Sequence, residues 1–128
     1  MLKLIMCVKR HPRLTREKFD RYWRKNHASL VSKHAALLGI RRYIQTIPFA
    51  DAAAQHALQH TRQTDPVDFD GCAELWWDDM ESHIAARKTE EGLKALQELI
   101  EDERKFVDLA HSQLWYGEER HVISEKEG

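Results

Sequence analysis

Apolar residues recur with helical period through residues 15–38. At about 100° per residue, Phe19, Trp23, Leu30 and Leu37 share one stripe, with Val31 and Leu38 on its edge. Arg16, Lys18, Arg24, Lys25 and Ser32 take the opposite side. Thr15 is a good N-cap, Glu17 suits the positive helix end, and Gly39 is a natural residue to close the helix. Two residues break the apolar logic. His27 and His34 fall on the buried side, and at seven residues apart their directions differ by only about 20°. The pattern predicts a long amphipathic helix that turns two imidazoles towards the core.

Alternation predicts strands on either side of it. In residues 2–10, Leu4, Met6 and Val8 point one way and Ile5 and Cys7 the other, so both faces of this strand should be covered. Pro12 closes the turn that follows. Residues 39–47 form a second strand, with Tyr43, Gln45 and Ile47 on one face. In the third, residues 70–78, Cys72, Glu74, Trp76 and Asp78 oppose Ala73, Leu75 and Trp77. The first of these sets suits a pocket wall or a subunit interface. Between them, residues 49–69 are rich in Ala, Gln, His, Thr and Asp, with a short helix at 50–58. So long a connection is a lid, an insertion or a mobile segment. Residues 80–87 form a short helix. Thr89 caps another, in which Leu93, Leu96, Ile100 and Val107 repeat near helical period. Residues 114–123 form the last strand, with Trp115, Tyr116 and Val122, and the polar tail SEKEG is expected to fray.

The order β-α-β, long loop, β-α-β gives a single α+β domain over residues 1–128. It is the ferredoxin-like βαββαβ arrangement, a four-stranded antiparallel sheet with both helices on one face. The other sheet face has no cover within the chain and is not polar. Such a face needs a partner, and a homodimer pairing two of them through a twofold axis is the economical answer.

Composition narrows the function. A chain of 128 residues can bury a real core, and a net charge of −1 with both signs interspersed excludes a basic footprint for nucleic acid or a polybasic membrane patch. There is no apolar run near 20 residues, and the opening MLKLIMCVKR reads as a strand rather than a signal peptide. Cys7 and Cys72 are then expected as two buried free thiols in a cytoplasmic protein. Eight histidines and four tryptophans favour a binding pocket.

The stretch KRHPRLTREKFDRYWRKNHASLV resembles the opening of EthD-domain proteins, whose F-x-x-Y-W-x-x-x-H core is matched by Phe19, Tyr22, Trp23 and His27. Ala28-Ser29 departs from the pair usual after that histidine. DFDGCAELWWDDMES is similar to the family's third strand. EDERKFVDLAHSQLW is similar to its D-E-x-x-F-V-D segment, here Asp102, Glu103, Phe106, Val107 and Asp108. The resemblance implies a dimeric α+β barrel with a ligand cavity between sheet and helices of each protomer. Relatives in the superfamily act on small hydrophobic or aromatic, often polyketide-like molecules. They include cofactor-free oxygenases, muconolactone-type isomerases, cyclases, dehydratases and decarboxylases. The family's namesake is associated with ether degradation.

His27 is the leading candidate for chemistry, because an imidazole titrates near working pH and can move a proton on an enolisable or phenolic substrate. His34 and Asp108 are expected to assist it. Histidines seven apart on a helix lie about 10 Å apart along its axis, too far to share one metal ion. His56 and His60 have i, i+4 spacing but lack the glutamate of HExxH. No metal site is expected. Tyr22, Trp23, Tyr43, Trp76, Trp77 and Trp115 supply aromatic walls or oxyanion donors for a flat apolar ligand. Signatures for nucleotide, nicotinamide and flavin binding are missing, so no cofactor is expected. The reading is cofactor-free acid/base chemistry on a hydrophobic molecule: isomerisation, dehydration, decarboxylation or cyclisation. The alternatives are a cofactor-independent oxygenase, a non-catalytic binding barrel, and a haem-binding barrel.

Overall fold

The alternating segments become four strands: β1 (Leu2–Val8), β2 (Arg42–Thr46), β3 (Gly71–Trp77) and β4 (Gln113–Glu118). The computed structural model describes residues 1–125. The strands pair antiparallel in the order β2-β3-β1-β4, which is the ferredoxin-like sheet expected from the element order. Helical segments are α1 (Arg16–Arg21), α2 (Ala28–Leu38), α3 (Ala52–Arg62), α4 (Met80–Lys88) and α5 (Glu90–Phe106). Among the described residues, no helix is long and apolar enough to cross a membrane.

Register decides which side chains meet the helices. Leu4 lies opposite Leu75 and Tyr116, Met6 opposite Ala73 and Leu114, and Tyr43 opposite Leu75, so these share the inner face. Lys3, Ile5, Cys7, Ile44, Glu74, Trp76 and Trp115 share the outer one. Val8, Trp23, Ala73 and Phe106 centre one core cluster, and Val31, Leu38, Ala95 and Leu99 another. Gly71 lets the two layers touch: a Cβ there would lie 2.5 Å from Trp23 Cζ3, so the indole rests on the β3 backbone.

The long helix runs from α1 to α2 through a π segment, Tyr22–His27. The Ala28 N–H bonds the Trp23 carbonyl, an i→i+5 link. This corrects the apolar stripe. Phe19, Trp23, His27 and Val31 are buried at intervals of four. In a regular helix, four-residue steps drift by about 40°; the wider π turn takes the drift out. Leu37, placed on the stripe by a uniform period, is exposed instead.

The strand bounds also shift. Gly39 adopts the left-handed conformation (φ 71°), and the Ile40 N–H still bonds the Ala35 carbonyl, so extended pairing starts at Arg42. β4 stops at Glu118 rather than residue 123 because Glu118 pairs with Leu2, where β1 begins. Val122 and Ile123 lie beyond it, exposed. Of the tail expected to fray, residues 126–128 lie outside the described residues. The helix expected at 50–58 runs from Ala52 to Arg62, capped by the Asp51 side chain, and none of its residues is buried. Cys7 and Cys72 are free, half-buried and directly opposite each other across β1 and β3.

At the end of the sheet, Asp70 ties the turn after β1 to β3. Its side chain is 4% exposed and lies 3.3 Å from both Arg10 Nε and Arg16 Nη2. It also accepts the Arg10 backbone N–H at 2.8 Å.

Candidate active site

His27 ends the π segment, 5% exposed, with its ring centroid 5.0 Å from that of Phe106. On α5, Ala95, Leu99, Asp102 and Phe106 form the buried face. That face carries the Asp102 carboxylate to His27 Nδ1, at 2.8 Å. The Tyr22 hydroxyl donates to the other Asp102 oxygen. Burial and the Asp102 carboxylate push the Tyr22 phenol up to about 12, so it stays a donor. Burial lowers the His27 pKa below the ordinary imidazole value, and the Asp102 contact offsets only part of that. His27 is therefore a neutral ring at pH 7. With Nδ1–H donating to Asp102, Nε2 carries the lone pair, and no residue among those described bonds it.

His27 lines a cavity of about 330 Å³ between the helices and the inner sheet face. Leu4, Met6, Leu75, Trp77, Leu96 and Ile100 make much of the wall apolar. Leu114 and Tyr116, on the inner side of β4, are exposed, so the cavity opens along that edge strand. Glu103 and Tyr43 also line it. Burial, reinforced by the Asp102 charge, raises the Glu103 pKa to about 7, so near neutral pH a large fraction of it holds a proton. The Tyr43 oxygen accepts from Gln45 Nε2 at 2.9 Å, which leaves its own O–H free to donate. Burial raises its pKa as well. The site thus sets a neutral base, a carboxylic acid and a phenol around one apolar space.

Glu103 gives a pH signature. Its folded pKa lies above the ordinary 4.5, so the native state binds more protons than the unfolded state between about 4.5 and about 7. Its contribution is present below that window and is lost as pH rises through it. In urea unfolding, Glu103→Gln should therefore gain stability relative to wild type as pH rises from 4.5 to 7. A difference independent of pH would refute the raised pKa.

The EthD domain model matches residues 11–110. This chain belongs to the EthD domain family. Among solved structures it is similar to an ethyl tert-butyl ether D (EthD) family protein from Bacillus halodurans, at 26% identity and TM-score 0.61, over 94% of this chain and 99% of that one. SnoaB from Streptomyces nogalater, described as a cofactor-independent oxygenase, shares the fold at 14% identity and TM-score 0.56, over 97% of each chain. So does a dimeric protein of ferredoxin-like fold from Bacteroides fragilis, at 9% identity and TM-score 0.55, over 91% of this chain and 94% of that one. No curated protein matches the sequence.

In this EthD-domain chain the residues expected at the site divide. His27, Trp23, Tyr43 and Trp77 line the cavity. Tyr22 reaches Asp102 instead. His34 lies outside the cavity, with Nε2 2.9 Å from Glu98 Oε2. Asp108 is not at His27 either. Val107 is extended (φ −112°, ψ 137°), which ends the helix and takes Asp108 off the buried face of α5. It pairs with His111 at 2.8 Å. Trp76 is on the outer face beneath Lys3 and Arg42, with Nε1 donating to Glu119 at 2.6 Å. Trp115 borders the cavity, but its register opposite Ile5 turns the indole outward. Asp102 and Glu103, matched in the sequence only as part of the D-E-x-x-F-V-D segment, take the place expected for Asp108. The available signal was a carboxylate in phase with Ala95, Leu99 and Phe106, matching a histidine on the apolar stripe of the earlier helix.

Proposed function

We propose that this protein is a homodimeric enzyme that performs cofactor-free proton transfer on a small hydrophobic molecule, with His27 as general base. One observation carries the reading: His27 is held through Nδ1 by Asp102 while Nε2 stands unbonded at an apolar cavity. Nε2 takes a proton from a carbon next to a carbonyl or from a phenolic oxygen, and Asp102 stabilises the imidazolium that forms. The Tyr43 O–H donates to the developing oxyanion, and protonated Glu103 returns a proton elsewhere on the molecule. Isomerisation, dehydration, decarboxylation and cyclisation all fit this sequence. The facing free thiols fit a reducing compartment such as the cytoplasm.

A substrate-independent probe tests it. 5-Nitrobenzisoxazole opens to a coloured phenolate when a base removes its one reactive C–H proton. The protein should open it with saturation, at an effective molarity on the order of 10² M or more relative to free imidazole. Rates no better than free imidazole at equal concentration would reject the base.

The dimer reading rests on the outer sheet face. Lys3, Arg42 and Glu74 occupy part of it, but Ile5, Ile44 and Trp115 form an apolar remainder, and Trp115 is 52% exposed. The Bacteroides fragilis neighbour is described as dimeric. Sedimentation at micromolar concentration should give a dimer. Trp115→Glu should weaken it roughly thirtyfold or more, the effect of losing a central aromatic anchor. A wild-type monomer would contradict the assembly.

A further inference from the structure

The far end of the cavity holds polar groups that the His27 chemistry does not use. His83 and Arg87 sit one turn apart on α4, and both line the cavity. His83 is 3% exposed; its ring centroid lies 4.1 Å from that of Trp77, and its Nε2 is 2.8 Å from the Tyr116 hydroxyl. Two of their nitrogens, His83 Nδ1 and Arg87 Nε, are shut away from solvent with no hydrogen-bond partner. None of the ion pairs among the described residues involves Arg87. Arg87 as a whole is half-buried, so its charge keeps some contact with water, but a buried donor left unbonded is costly.

Glu103 does not supply the missing charge. The charges acting on it are Asp102 and Arg104. The helix lengths explain why. α2, 11 residues long, separates His27 from the Leu38 carbonyl, which accepts from Trp77 Nε1 at 2.8 Å beside His83. That length is about 16 Å of helix. His27 with Glu103 forms one pole of the cavity, and His83 with Arg87 the other.

We propose that the Arg87 pole anchors a carboxylate, so that the ligand is an apolar organic acid whose acid group sits against α4 and whose body extends towards His27. A carboxylate matches the side-on fork of Arg Nε–H and Nη–H, and a small rotation of the half-buried Arg87 side chain turns that fork to the cavity. Burial and the Arg87 charge push the His83 pKa down to about 4, so the ring is neutral. In the tautomer in which Tyr116 donates to Nε2, Nδ1–H is a second donor beside Arg87. The inference rests on the reading of the cavity as a ligand site, but not on His27 acting as a base.

Calorimetric titration of a matched pair tests it: 2-naphthoate, ionised at pH 7, and neutral 2-naphthamide. The wild type should bind the acid at least tenfold more tightly than the amide. Arg87→Met should weaken naphthoate until the two affinities lie within about twofold. Arg87→Lys, which keeps the charge and loses the fork, should retain part of the preference and gives a reading if the Met variant fails to fold. His27→Gln should still prefer the acid. Equal wild-type affinities, or a preference that survives Arg87→Met, would overturn the anchor. Absence of binding by both probes would overturn the cavity reading together with it. An acid preference without turnover of 5-nitrobenzisoxazole would support the anchor and reject only the base.

Discussion

Asp102→Asn is expected to slow proton abstraction by two to four orders of magnitude, about as much as His27→Gln. The reason is the tautomer. The Asp102 carboxylate only accepts, so it holds the hydrogen on His27 Nδ1 and leaves the Nε2 lone pair at the cavity. An asparagine amide in the same place can donate to Nδ1, which drives the hydrogen to Nε2 and removes the base without moving the ring. The double variant should cost no more than either single one, because the two residues act as a unit. Turnover of 5-nitrobenzisoxazole, with near-ultraviolet circular dichroism to establish folding, reads this directly. A folded Asp102→Asn protein that keeps full activity would show that the pair is structural.

The largest effect on stability is expected at Asp70, away from the cavity. Asp70→Ala should cost roughly 3 kcal/mol in urea unfolding. It strands the Arg10 N–H, and it removes the acceptor shared by Arg10 Nε and Arg16 Nη2. Asp70→Asn keeps an oxygen for the backbone N–H and should cost distinctly less. A loss below about 1 kcal/mol for the alanine variant would mean that the turn after β1 is held chiefly by other contacts, such as the Arg10 side chain on the Leu14 carbonyl.

Strand alternation and helix caps made the sheet and its order legible, because those signals are local. Thr15, Thr89 and Gly39 cap helices as their chemistry dictates. The site was legible only in part. His27 stood out as an imidazole on an apolar stripe. Its partner did not, since Asp102 and Asp108 both lie in the DERKFVD stretch and only the helix end at Phe106 separates them. The π segment was hidden as well: a uniform period of 3.6 assigns Leu37 to the core and cannot register the extra residue that brings His27 into phase with Val31. Trp76 was ambiguous because both faces of β3 carry tryptophan. Which indole meets the cavity depends on Lys3 and Arg42 covering one of them, a contact between strands distant in the chain.

To act as the base, His27 has to present an unprotonated Nε2 to the cavity. Nitrogen-15 NMR of the histidine side chains across a pH titration measures this. The predicted result is a His27 ring in the Nδ1–H tautomer at pH 7, with a pKa below the ordinary 6.5. An imidazolium at pH 7, or a neutral ring with its hydrogen on Nε2, would contradict it.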